Sequence, residues 1–114
     1  MDKQRILDIV GDYFGVSTED IMGRNRSQHI SIPRKCAAYV IKAMVPISYE
    51  DLGTWMGMRD HSTVMYYCTD IRKKLPTTPM LQHYMQAIEQ RLEAEFKQAE
   101  LLPDADSGET AQDA

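Results

Sequence analysis

Wherever apolar residues recur in this chain they recur at spacings of three and four, and proline or glycine cuts the pattern into short pieces. Residues three and four apart share one face of a helix, whereas a half-buried strand requires strict alternation. No strong alternation is present. A chain patterned this way buries its apolar stripes only by packing helix on helix. The predicted fold class is therefore all-α, a domain of about five to six helices plus an extra C-terminal helix.

In "DKQRILDIVGDYFG" the stripe is Ile6, Ile9, Val10, Tyr13 and Phe14, and Gly15 is a suitable stop. Ser17, with Asp20 three residues later, resembles a capping box opening a short helix through Met22. "GRNRSQHIS" is polar, basic and aperiodic, which predicts a loop. Pro33 is then expected in the first turn of a helix that shows Cys36, Ala37, Val40, Ile41 and Met44 on one face and stops before Pro46. Ser48 and Asp51 open a further short helix with Leu52, Trp55 and Met56 inward, and Gly57 supplies a turn. Asp60 is placed as the N-cap of "HSTVMYYCTDIRKKL", whose inward face is Val64, Tyr67 or Cys68, and Ile71. Arg72, Lys73 and Lys74 suit the negative end of that helix. Thr78 and Pro79 begin a last helix, to about Leu101, striped by Leu81, Met85, Ile88, Leu92 and Phe96. Residues 103–114 are acidic and small, and predict a disordered tail.

The 114-residue chain has a net charge of −4, which at first argues against nucleic acid. The charge is unevenly spread. Residues 1–74 hold 11 of the 13 Lys and Arg against 9 acids, whereas residues 75–114 hold 2 against 8. Between Arg24 and Lys42 there are five basic residues and no acid. A local basic patch, not the whole-chain charge, sets a phosphate footprint. Two cysteines without a CxxC spacing, no leader-like opening and no membrane-length apolar run predict a cytoplasmic protein with reduced thiols.

Two short helices joined by a tight turn containing glycine form a helix-turn-helix candidate, here 49–56 and 61–74 joined by "GMRD". In such motifs the first residues of the second helix face base edges in the major groove. His61, Ser62 and Thr63 occupy that place; imidazole and hydroxyl groups bond base edges or phosphates, and the threonine methyl suits a thymine methyl. Capping alone explains Asp60 and a polar first turn, but not the gathering of Arg59, His61, Ser62 and Thr63.

"MRDHSTVMYYCTDIRKKL" closely resembles the signature of the C-terminal DNA-binding domain of the bacterial replication initiator DnaA, where Gly-Arg-Asp-His-Thr-Thr-Val opens the recognition helix. "YFGVSTEDIMGRNRSQHISIPRKCAAYVIKAM" is similar to that family's short helix, basic loop, Pro-Arg and long helix, and "SYEDLGTWMG" to its first motif helix, so the resemblance covers about residues 3–75. It implies a Trp-repressor-like helix-turn-helix domain over residues 1–76; the additional helix, 77–102, is extra to the resemblance. It implies base readout by Asp60, His61, Ser62 and Thr63 in the major groove of a nonamer box, with Asp60 alternatively fixing the helix end. It implies a minor-groove role for Arg26. Backbone contacts are implied for Arg24, Ser27, Arg34 and Lys42, and for Ser48, Tyr49 and Arg59. The sequence departs from the family at Met58, where glycine is usual, at Tyr49-Glu50 in place of Leu-Pro, and at Asn25, Gln28 and Tyr66.

No Gly-rich loop ending in Lys-Ser/Thr is present, so the expectation is site occupancy without nucleotide, cofactor, metal or catalysis, controlling replication or transcription. His29, His61 and His83 lie in separate segments with no metal-ligand spacing, and Cys68 falls on an apolar stripe. The alternative is a protein-interaction module that keeps the fold without specific DNA binding, for which Glu50 and the overall charge speak. The last helix is expected to pack on its own domain, with a homodimer or partner seam through 79–101 as the other possibility.

Overall fold

Four helix starts in the computed structural model, which describes residues 2–101, are fixed by a side chain that accepts a free backbone N–H. Asp2 accepts from the Arg5 amide (2.8 Å) to open α1, Lys3–Phe14. Ser17 accepts from Asp20 (3.1 Å) at α2, Thr18–Met22. Ser48 accepts from Asp51 (3.0 Å) at α4, Tyr49–Trp55. Asp60 accepts from Ser62 (3.4 Å) at α5, His61–Lys74. The remaining helices are α3, Gln28–Met44, and α6, Pro79–Leu101, with a 3₁₀ turn over Leu75–Thr77 between α5 and α6. No strand occurs among the described residues.

One expected boundary is corrected. α3 begins at Gln28, so Pro33 lies inside it rather than in its first turn. The cost is one lost N–H bond to the His29 carbonyl, near an end where the ladder is already incomplete. Starting early buries Ile30, and Asn25 Oδ1 accepts the Ser27 amide at 2.8 Å, which fixes the entry to the helix.

α3 is the central element, packed against α1, α2, α4 and α5. Its Cys36, Ala37, Ala38 and Ile41 meet Ile6, Leu7 and Val10 of α1, Ile21 of α2, Leu52 of α4, and Val64, Cys68 and Ile71 of α5 in one core. Burial pushes both thiols up, that of Cys36 to about 12, which leaves them as unreactive core groups.

α6 joins the same core. Leu81, Met85, Ile88 and Leu92 are buried, and only Phe96 of the expected stripe is exposed. Tyr13, Phe14 and Tyr84 stack edge to face with Phe14–Tyr84 centroids 4.9 Å apart. Arg5–Glu95 (2.6 Å) and Arg91–Asp12 (3.2 Å) tie α6 to α1. The stripe expected as a possible dimer seam is therefore covered by the chain itself. Residues 103–114, expected as a disordered tail, lie outside the described residues.

Candidate nucleic-acid interface

α4, its turn and α5 form the helix-turn-helix. The Arg59 amide donates to the Gly53 carbonyl (2.8 Å) and the Met58 amide to that of Thr54 (3.1 Å), which closes the turn tightly. A Cβ at Gly53 would collide with the Arg59 carbonyl, so only glycine lets α4 approach the start of α5 this closely. Gly57 adopts φ +84° and sits against the Met22 carbonyl, which leaves no room for a side chain there either. Met58 follows at φ +61°, the one non-glycine residue at positive φ among the described residues. The family's usual glycine at this position thus has a physical reason: the turn needs two successive left-handed residues.

The turn presents the start of α5 to solvent. His61 and Ser62 are exposed and Thr63 is half-buried. Asp60 is occupied locally. Its carboxylate takes the Ser62 hydroxyl and amide and lies 3.6 Å from His61 Nδ1. The bond from the Ser62 hydroxyl, foremost, holds the Asp60 carboxyl below the usual range. Of the two roles implied for Asp60, fixing the helix end is the one visible in this structure. The Ser62 hydroxyl is engaged by that cap, whereas the imidazole of His61 is 59% exposed.

Arg34 and Arg59, for which contacts to the DNA backbone are expected, are 3% and 8% exposed, and their guanidinium groups are engaged inside the domain. Arg34 donates to the carbonyls of Ile21 (2.6 Å), Asn25 (2.8 Å) and Asp20 (3.0 Å). Arg59 donates to those of Met22 (3.0 Å), Gly23 and Met56, and to the Tyr67 hydroxyl (3.3 Å). A fixed guanidinium fork satisfies several carbonyls at once, and the C-terminal end of α2 offers them. Burial, then the neighbouring charge of Arg59, lowers the Arg34 pKa. These bonds lash the α2–α3 loop, which carries Arg26, to the turn before His61. Arg24 adds a third tie by donating to the Gly57 carbonyl at 2.9 Å.

The other expected contacts remain at the surface. Arg26 is exposed and makes no hydrogen bond or ion pair among the described residues. Ser27 stands at the N-cap position of α3, makes no side-chain capping bond and is exposed. Lys42 lies over the Tyr49 ring, 4.7 Å from its centroid, and Ser48 stands at the start of the same helix α4.

Two arrangements were not read from the sequence. Lys35, one of the five basic residues between Arg24 and Lys42, bridges to Asp70 (2.9 Å) and lies over the Tyr66 ring at 5.0 Å. Burial alone would raise the Asp70 pKa, but Lys35 and Lys74 outweigh it and hold it low. Arg72 lines an open pocket with Tyr39, Lys42, Ala43, Tyr49 and Cys68. Its signal was present in the periodicity, since His61, Met65 and Arg72 fall on one stripe of α5. Among the described residues no three His, Cys, Asp or Glu side chains gather to hold a metal, and no helix is long and apolar enough to cross a membrane.

Residues 3–71 match the family described as "Bacterial dnaA protein helix-turn-helix". The chain is 37% identical over 93 residues to the chromosomal replication initiator protein DnaA of Chloroflexus aggregans, covering 82% of this chain and 20% of that protein. It is 37% identical over 78 residues to DnaA of Lachnoclostridium phytofermentans, covering 68% and 17%. It is 33% identical over 90 residues to DnaA of Treponema pallidum, covering 79% and 19%. It spans about a fifth of the length of these curated relatives. With its helix-turn-helix, two arginine-tied loops and matching residues 3–71, the chain belongs to the family of bacterial DnaA helix-turn-helix domains.

Proposed function

We propose that this chain binds duplex DNA at DnaA-box-like nonamers and acts in the control of replication initiation or transcription without hydrolysing a nucleotide. The observation that carries the reading is the exposed start of α5. His61, Ser62 and Thr63 are held out by a turn that two glycine contacts and Arg59 fix in place. A recognition helix reads base edges with these first residues. Asp60 fixes their geometry by capping and is proposed to join the base contacts once Ser62 turns to DNA. Arg26 reaches the adjacent minor groove from its loop, where narrow grooves attract arginine. Arg24, Ser27, Lys42, Ser48 and Tyr49 line the phosphate track. Arg34 and Arg59 act from inside, by holding the loop and the turn in register.

Footprinting and competition on a nonamer-box duplex against a scrambled duplex test the reading. Protection of the box with a marked preference over the scrambled duplex is expected; equal affinity for both sinks specific readout. Exposed Glu50 at the start of α4 favours the second reading, a protein-interaction module. Salt separates the two, because a binder neutralising phosphates loses affinity with a slope of about −0.9 per contact.

A further inference from the structure

The open pocket between α3, α4 and α5 is lined by Tyr39, Lys42, Ala43, Tyr49, Cys68 and Arg72 and has a volume of about 230 Å³. Two cations from different helices converge on it. Lys42 leans over the Tyr49 ring at 4.7 Å, and the charges of Arg72 and Lys42 both act on the Cys68 thiol at the pocket floor. Arg72 is exposed and has no acidic partner among the described residues, although the last turn of α5 holds Asp70, which Lys35 and Lys74 share. Helix-end electrostatics alone is satisfied by Lys73 and Lys74 and does not require a cation turned toward Lys42.

We propose that this pocket is a phosphate-binding site for the DNA backbone, with Arg72 as its second cation beside Lys42 and the Tyr49 hydroxyl as a further donor. Arg72 lies on the His61 stripe of α5, eleven residues later, or about 16 Å along the axis. A duplex read by His61 at the start of the helix runs its backbone past α4, where Tyr49 and Lys42 stand. Arg72 extends that track beyond the recognition residues and adds affinity without sequence preference.

The inference rests on the DNA-binding reading, and the experiment separates their failures. Fluorescence anisotropy against salt compares the unaltered chain, Arg72→Gln and Arg72→Lys on the box and scrambled duplexes. Arg72→Gln is expected to weaken both complexes by the same factor and to flatten the slope of log K on log salt by about 0.9, the loss of one phosphate contact. Arg72→Lys is expected to restore the slope. A wild-type slope and affinity in Arg72→Gln, with or without a lower melting temperature, overturns the site and leaves the DNA reading standing. Absence of salt-dependent binding by the unaltered chain overturns both.

Discussion

Arg34 and Arg59 lie side by side in the interior and divide between them the carbonyls at the end of α2: Asp20 and Ile21 go to Arg34, Met22 and Gly23 to Arg59. Two like charges repel at this range, yet the negative end of a helix and four carbonyl dipoles offset that repulsion. The pair ties the basic loop that carries Arg26 to the turn before α5.

Removing either guanidinium leaves buried carbonyls without donors. Arg59→Ala is expected to destabilise the fold by about 2–3 kcal/mol, since each unsatisfied buried group costs ~1–3 kcal/mol. Arg59→Lys recovers only part, because an ammonium cannot span Met22, Gly23 and Met56 together. Urea denaturation measures both. An unchanged midpoint in Arg59→Ala is incompatible with the structural role.

Met58 stores backbone strain in the turn. Met58→Gly is expected to stabilise by about 0.5–1 kcal/mol, as relief of ~1–2 kcal/mol of left-handed strain outweighs the added entropy of a glycine. Met58→Val is expected to destabilise, because β-branching makes positive φ worse. The two melting temperatures should move in opposite directions; a fall for Met58→Gly would refute the strain.

Lys35 and Asp70 join α3 to α5 across a partly buried bridge. The Asp70 carboxyl is held below its ordinary value, so its stabilising share is full above the unfolded pKa of about 3.9 and is lost as pH falls through the lower folded value. Lys35 is desolvated, but Asp70 and Tyr66 raise its pKa, so its share is lost only as pH rises beyond the ordinary lysine range. Asp70→Asn should therefore lower the urea midpoint at neutral pH, and the gap should close in strong acid. A gap that stays constant from neutral to acid pH contradicts the bridge.

His61, exposed at the start of α5, carries the proposed base contact. His61→Ala is expected to cost ~1–3 kcal/mol on the box duplex and much less on random DNA. An equal loss on both duplexes would reassign it to the backbone.

α6 is part of the core through Ile88, which is fully buried. Ile88→Ala is expected to cost about 2–5 kcal/mol, the range for deleting a large buried aliphatic group. A change under 1 kcal/mol in denaturant unfolding would mean that the helix adds little to the fold.

Helix placement, including the start of α5, was legible in the sequence because its signals are local. A cap lies within three residues of the amide it satisfies, and a stripe repeats within one helix, so Ser17, Ser48, Asp60 and the stripe through Val64, Cys68 and Ile71 could be read directly. The early start of α3 was missed because Pro33 is a strong local signal that burial of Ile30 overrides. The fate of the cations was decided only by tertiary structure. In sequence Arg26, Arg34, Arg59 and Arg72 are the same charged residue. Arg34 and Arg59 are buried because the carbonyls at the end of α2, 13 to 37 positions away, fold up against them, while Arg26 and Arg72 stay in solvent. Composition and periodicity determine which residues line a helix face; the neighbouring chain that a long side chain meets there is set by packing.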